Sequence, residues 1–281
     1  MPSQLSDPTP FTPEYIDGYL RKNDDFQLEI DVLNACRAAG FCANHGGTYQ
    51  DPTLGKDRQF DIQAEWRAKN SSKILLAVEC KNLAPENPFL VSRTPRSKDE
   101  AFHHALVLEF TVNGTNRQVS RVVDYGDYQR FEQVGKSICR IPRPEKPGVT
   151  KTGDSDIYGT WAQAVQSASS MLIETSRGMA GSRDKKSGIV AIPVLVVSDG
   201  VLWVADYDKN GIRSDLPSPV DRCHLFLGKT VTPPNQTYGN IWTYTISHLE
   251  IFTKSGFLTF LKGNVGEWAD QLIMPILQGK V

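Results

Sequence analysis

Two carboxylates and an ammonium fall in one stretch, Arg58 to Asn82 (RQFDIQAEWRAKNSSKILLAVECKN), at spacings that an antiparallel hairpin would bring together. Alternate side chains of a strand share a face. In Glu79-Cys80-Lys81 the acid and the base therefore point one way and the cysteine the other, while Asp61, Gln63 and Glu65 oppose Phe60, Ile62, Ala64 and Trp66. Pairing across the polar turn sets Asp61 near Glu79. The run Leu75-Leu76-Ala77-Val78 reads as a strand buried on both faces, yet it ends on a carboxylate and an ammonium. Buried charge of that kind costs on the order of several kcal/mol unless it is paired or bound to a metal.

Hydrolysis of a phosphodiester suits such a set. An anionic nucleophile must meet an anionic ester, and a divalent cation neutralises charge and makes water more acidic. Asp61 and Glu79 are hard oxygen ligands suited to Mg²⁺, with Mn²⁺ as a substitute, and the main-chain carbonyl of Cys80 could add a third. Lys81 starts near pKa ~10.4, and neighbouring carboxylates favour its charged form. Orienting the attacking water or stabilising charge on the phosphorane fits it better than general-base work. Gln63 and Gln163 could hold the site by hydrogen bonds, or face solvent. The competing reading of the whole constellation is a surface ion-pair cluster, which would contribute little to stability.

The elements that must position these residues follow from periodicity. Apolar residues recur at helical spacing from Asp24 to Gly40, with Asp24 placed to cap the start, Gly40 to end it and Glu29 on or beside the apolar face. Phe41 to Tyr49 reads as a first strand. Beyond Asn82 the spacing gives a short strand at PFLVS, a helix from about Lys98 to Phe110, and an insertion covering about 83–155. A second long helix is expected from Ser155 to Arg177, with Trp161, Ala164 or Val165, Ala168, Met171 and Leu172 on its apolar stripe. Gly188 to Asp206 approaches membrane-spanning length, but Ser198-Asp199-Gly200 divides it, and Asp-Gly between β-branched runs signals a hairpin. Residues 207–281 read as a C-terminal extension packed on the core, with strands at Leu225 to Val231 and Thr243 to Ile251 and two closing helices.

Composition narrows the classes. A net charge of -1 excludes a polybasic coat, though not a local basic cleft, and five scattered cysteines without a CxxC pair indicate reduced thiols rather than disulfides or a zinc knuckle. Residues 1–23 carry no basic-then-apolar leader and read as a proline-rich, extended arm, so a cytoplasmic protein without a membrane span is expected. Gly135-Lys136-Ser137 lacks the upstream glycine of a P-loop, and the adjacent pairs His103-His104 and Cys223-His224 have the wrong spacing for metal ligation on a helix.

The order helix, strand, hairpin bearing D…ExK, helix, strand resembles the PD-(D/E)xK nuclease superfamily, with Asp61 and Glu79-Cys80-Lys81 on its motif positions and Glu29 on the helix glutamate often found there. Phe60 stands where the motif is named for proline. The resemblance implies an α/β, restriction-endonuclease-like core over 24–206, a central mixed sheet flanked by helices. It also implies that the Cys80 side chain is not a ligand, and that Glu29 could orient the attacking water or bind a second metal ion. Arg93, Arg96 and Lys98, just beyond the catalytic strand, are the expected DNA contacts. Further basic clusters lie at Arg130, Lys136, Arg140, Arg143, Lys146 and Lys151, and at Arg177, Arg183, Lys185 and Lys186. The expectation is an Mg²⁺-dependent deoxyribonuclease, an endonuclease of a microbial restriction, defence or repair type. It could act as a homodimer or with a separate target-recognition subunit. The alternative is an inactive DNA-binding or scaffold protein that keeps the fold.

Overall fold

The computed structural model describes residues 11–52, 54–68, 72–110, 116–124, 128–141, 155–179, 187–233, 242–263 and 265–277. The chain is α/β, with a large mixed sheet flanked by helices on both faces. Arg143, Lys146, Lys151, Arg183, Lys185 and Lys186 lie outside the described residues.

Local chemistry explains the first elements. Thr12 accepts the Tyr15 N–H at 3.2 Å and Pro13 takes the first helical position, so α1 (Pro13–Asn23) forms where an extended arm was expected. The proline-rich start misled because proline favours a helix's first turn as readily as it favours extended chain. α2 (Phe26–Ala38) buries Leu28, Val32, Leu33 and Cys36, and Gly40, at φ 90°, lets the chain turn into β1 (Cys42–Gln50). β2 (Asp57–Arg67) and β3 (Lys73–Lys81) then form the expected hairpin, antiparallel and in register from Ile62↔Val78 to Arg67↔Lys73.

Parallel to β3 runs β8 (Ser187–Val197), all eleven residues of which are buried. Such a continuous Val/Ile/Leu run marks a strand covered on both faces. Between them in sequence, α3 (Ser155–Met179) crosses over and packs Val165, Ala168, Met171 and Leu172 on Leu75 and Ala77 of β3. The other face buries Ile62, Ala64, Ile74, Leu76, Val78 and Cys80 against α2 and two closing helices, α4 (Lys254–Lys262) and α5 (Val265–Leu277).

Elsewhere the chain departs from expectation. β9 (Leu202–Asp206) does follow an Asp-Gly turn, with Gly200 at φ 76°, but it does not fold back on β8. It pairs instead with β4 (Phe89–Pro95) and with β10 (Ser218–Pro219), because both flanks of β8 are already occupied. The helix expected over 98–110 is a short 3-10 turn at Lys98–Glu100 followed by β5 (His103–Phe110). Ala101, Ala105 and Leu108 match a helical stripe, yet Ala105 to Leu108 are all buried, as a strand lying between β6 (Asn116–Val123) and the start of β8 requires. The 83–155 segment also contributes β7 (Gln133–Arg140), so it extends the sheet. The C-terminal segment likewise supplies β11 (Arg222–Val231) and β12 (Tyr244–Thr253), and β12 lies directly beside β8 rather than on the outside of the core. From β3 the sheet runs β3-β8-β12-β11-β7-β4-β9-β10. No helix among the described residues is long and apolar enough to cross a membrane.

Candidate active site

The hairpin gathers Asp61, Glu79 and Lys81 at the carboxyl end of β3. Asp61 accepts the Cys80 N–H on Oδ2 at 2.7 Å, and Lys81 Nζ lies 3.2 Å from Glu79 Oε1. Glu79 is 3 % exposed. The Cys80 thiol points into the opposite core with Val78 and Ile62, as alternation requires.

Burial pushes the Asp61 carboxyl up to about 6, against the Cys80 N–H and Lys81, with the charges of Glu29 and Asp25 adding to the rise. Burial, then the Asp61 charge, pushes Glu79 up to about 8 despite Lys81. For Lys81 burial disfavours the charge, but Glu79, Asp25 and Asp61 together outweigh it and hold the ammonium above its ordinary range. Acid charge here exceeds basic charge, and the excess adds to the rise that burial causes.

Asp25, which the sequence offered only as part of a helix start, completes the cluster. Its Oδ2 lies 3.2 Å from Lys81 Nζ and its Oδ1 accepts the Asn82 N–H. Glu29, one turn further along α2, does not reach Lys81. His45 of β1 holds its Oε2 at 2.6 Å, on the α2 side of the sheet. One oxygen of Glu29, the residue expected to orient water or bind a second metal ion, is thus engaged by His45, and its charge adds negative potential at Asp61.

The opposite face is fastened to α3. Gln63 Nε2 donates to Ser167 Oγ at 3.0 Å, so Gln63 holds β2 on the helix, while Gln163 takes part through its main-chain oxygen, which accepts the Tyr49 hydroxyl at 3.3 Å. Burial, with the Asp51 and Glu79 carboxylates nearby, pushes the Tyr49 hydroxyl up, which places Tyr49 beside the acidic cluster. Gly46 lies on the same strand, β1. It stands between the pairs His45↔Ile62 and Gly47↔Phe60, opposite Asp61, with φ 59°. A Cβ at Gly46 would meet nothing within 4 Å, so only the backbone objects to a side chain. Gly46→Ala is expected to lower stability by about 1–2 kcal/mol, read from urea unfolding.

The expected DNA contacts fare differently. Arg93 forms a bidentate pair with Asp206 at 2.7 and 2.8 Å. Arg96 has no exposed side-chain surface; it donates to the Gln129 carbonyl at 2.7 Å and packs on Tyr128 and His224, so it cannot meet a phosphate. Lys98 is exposed, but β4 and the turn after it are separated from β3 by β8, β12, β11 and β7. Nearness in sequence to Lys81 therefore gives no nearness in the sheet. Lys136 is paired with Glu100.

Comparison with family models, with curated proteins and with solved structures finds no match to this chain. Its own residues carry what can be said of the site. Among the described residues no three His, Cys, Asp or Glu side chains are gathered as they stand to hold a metal ion. Asp61 and Glu79 nevertheless fit a hard divalent cation. They are two oxygen donors sharing one face, Glu79 buried and Asp61 half-buried, raised by burial and repulsion, each with one oxygen engaged by the hydrogen bond or ion pair above. Mg²⁺ in phosphoryl-transfer sites is commonly held by one or two carboxylates, the remaining positions falling to water and substrate phosphate.

Proposed function

We propose that the chain is a metal-dependent nuclease that hydrolyses DNA phosphodiester bonds, built on a restriction-endonuclease-like core of the PD-(D/E)xK type. The observation that carries this reading is the buried Glu79 with the half-buried Asp61 and with Lys81 beside it, at the end of a strand whose interior is apolar. The order α2, β1, hairpin β2–β3, α3, β8 supports it, since that is the order the motif requires.

Asp61 and Glu79 would hold Mg²⁺ or Mn²⁺, which would neutralise phosphate charge and acidify the attacking water. The Cys80 main-chain carbonyl is the third oxygen proposed for that group. Around it the chain's residues have separate tasks. The Cys80 N–H fixes one oxygen of Asp61 and leaves the other for the ligand. Lys81, held charged by its three acids, presents an ammonium to the phosphate oxygens as negative charge builds there. Gln63, tied to Ser167, keeps β2 from shifting against α3.

Lys81→Ala separates turnover from binding. With Mg²⁺ present it is expected to cut DNA about 10²-fold more slowly than wild type, the usual loss for one oriented electrostatic contact. Affinity for a DNA duplex, read by fluorescence anisotropy in Ca²⁺, should change little. Equal cleavage by wild type and Lys81→Ala would remove Lys81 from the mechanism. Binding without cleavage by the wild type would favour the scaffold reading.

A further inference from the structure

An aspartate at the start of a helix ordinarily turns its carboxylate onto the first free N–H groups. At α2 that task belongs to Asp24, whose Oδ1 accepts the Phe26 N–H at 3.0 Å. Asp25 sits at the cap position itself and makes no such bond. Both its oxygens go instead to the end of β3, one to Lys81 Nζ at 3.2 Å and one to the Asn82 N–H. Two adjacent acids thus divide the work, one closing the helix and one holding the catalytic strand.

The neighbourhood stiffens that hold. Asn82 Nδ2 donates to the Asp24 carbonyl at 3.1 Å, and its Oδ1 accepts from Ser198 Oγ at 2.8 Å. Ser198 in turn accepts the Leu83 N–H at 2.9 Å. The start of α2, the end of β3 and the end of β8 are therefore joined within a few residues of Lys81. A lysine on four rotatable carbons loses much conformational freedom when fixed, and only a partner on a rigid element can fix it.

We propose, resting on the nuclease reading above, that Asp25 is a positioning residue for Lys81: it anchors the ammonium against the start of α2 without itself holding the metal. The metal carboxylates remain Asp61 and Glu79. Asp25 acts through Lys81, so its loss should appear in turnover and not in metal binding.

Asp25→Asn tests this, since the amide oxygen can still accept the Asn82 N–H while the charge that ties Lys81 to α2 is gone and only the Glu79 pair remains. The expected result is a loss of about 10²-fold in kcat, the scale of a small misplacement of a reacting group. KM should shift less than about twofold, and Mn²⁺ affinity, measured by electron paramagnetic resonance, should equal that of wild type. Asp24→Ala is the control for damage to the helix start: it should lower the melting temperature and leave kcat unchanged. Cleavage by Asp25→Asn at the wild-type rate would overturn the proposal while leaving the nuclease reading intact. A fall in Mn²⁺ affinity matching that of Asp61→Asn would also overturn it, by making Asp25 a ligand. Equal losses of kcat in Asp24→Ala and Asp25→Asn would reduce Asp25 to a structural cap. A wild type that neither binds Mn²⁺ nor cleaves would overturn both readings.

Discussion

Glu79→Gln is expected to slow the proposed metal-dependent DNA cleavage by about 10³-fold or more, because on that reading it removes a metal carboxylate where on the order of several kcal/mol of charge stabilisation is needed. The same substitution is expected to raise the stability of the metal-free protein. Glu79 is 3 % exposed and its carboxyl is pushed up to about 8, first by burial and then by Asp61. The sign follows from linkage. Between the ordinary carboxylate range and pH 8 the folded protein holds a proton on Glu79 that the unfolded chain has lost. Stability from this group is therefore greatest below about pH 4.5 and falls as pH rises through 8. Glutamine keeps the shape, never ionises, and should flatten that fall. Melting temperatures of both proteins from pH 5 to 9, without metal, would show the two curves diverging upward in pH. A melting temperature for Glu79→Gln below wild type at pH 8 would contradict this account of the site's charge.

Glu250 is the counter-case, and its removal is the second large effect. It is as buried as Glu79, at 2 % exposed, and lies on β12. Its surroundings have the opposite sign: Arg222 Nε at 3.1 Å, His224 Nε2 at 3.2 Å and the Tyr128 hydroxyl at 2.8 Å. Burial would raise its carboxyl, but Arg222 and His224 prevail and hold it far below the usual range. Glu250→Ala should cost about 1–3 kcal/mol at pH 7, since it leaves the buried Tyr128 hydroxyl without its acceptor and the half-buried Arg222 and His224 without their carboxylate. Being depressed, this group stabilises above the unfolded-state pKa near 4.5, and that contribution is lost as pH falls through the folded value. The difference in urea-unfolding free energy between wild type and Glu250→Ala should therefore shrink between pH 5 and pH 2. A loss under about 1 kcal/mol at pH 7 would show the cluster to be a weak one.

The contrast between the two glutamates is what supports the proposed role of Glu79, since buried acids without matching cations gather at functional sites. Glu250 is matched by Arg222, His224 and the Tyr128 hydroxyl and has no charge to spare for a ligand. Glu79 shares one ammonium with Asp61 and Asp25, and a cation is what that group lacks.

The hairpin was legible because strand alternation and an apolar run ending on E-C-K are local features, and the same holds for α2, α3 and the buried strand β8. Pairing partners were not. Asp-Gly after Val197 marks a turn truly, but which strand β9 then joins depends on β8 being flanked already by β3, β5 and β12, and no local pattern carries that. Arg93 and Arg96 show the same limit. A basic residue in a loop-like segment looks free until its partner, Asp206 or the Gln129 carbonyl, is brought from far along the chain. Asp25 could have been found. Two adjacent aspartates before one helix are one more than a cap requires, and the second invites the question of what it binds.

The central claim is that Asp61 and Glu79 bind a divalent cation and with Lys81 cleave DNA. Its most direct test incubates supercoiled plasmid, linear duplex and single-stranded DNA with the purified protein in Mg²⁺, Mn²⁺ or EDTA, beside Asp61→Ala. The account predicts cleavage by the wild type that requires the metal and is abolished in Asp61→Ala while the variant still folds. Metal-independent cleavage, cleavage that survives in Asp61→Ala, or a wild type that leaves every substrate intact would contradict it.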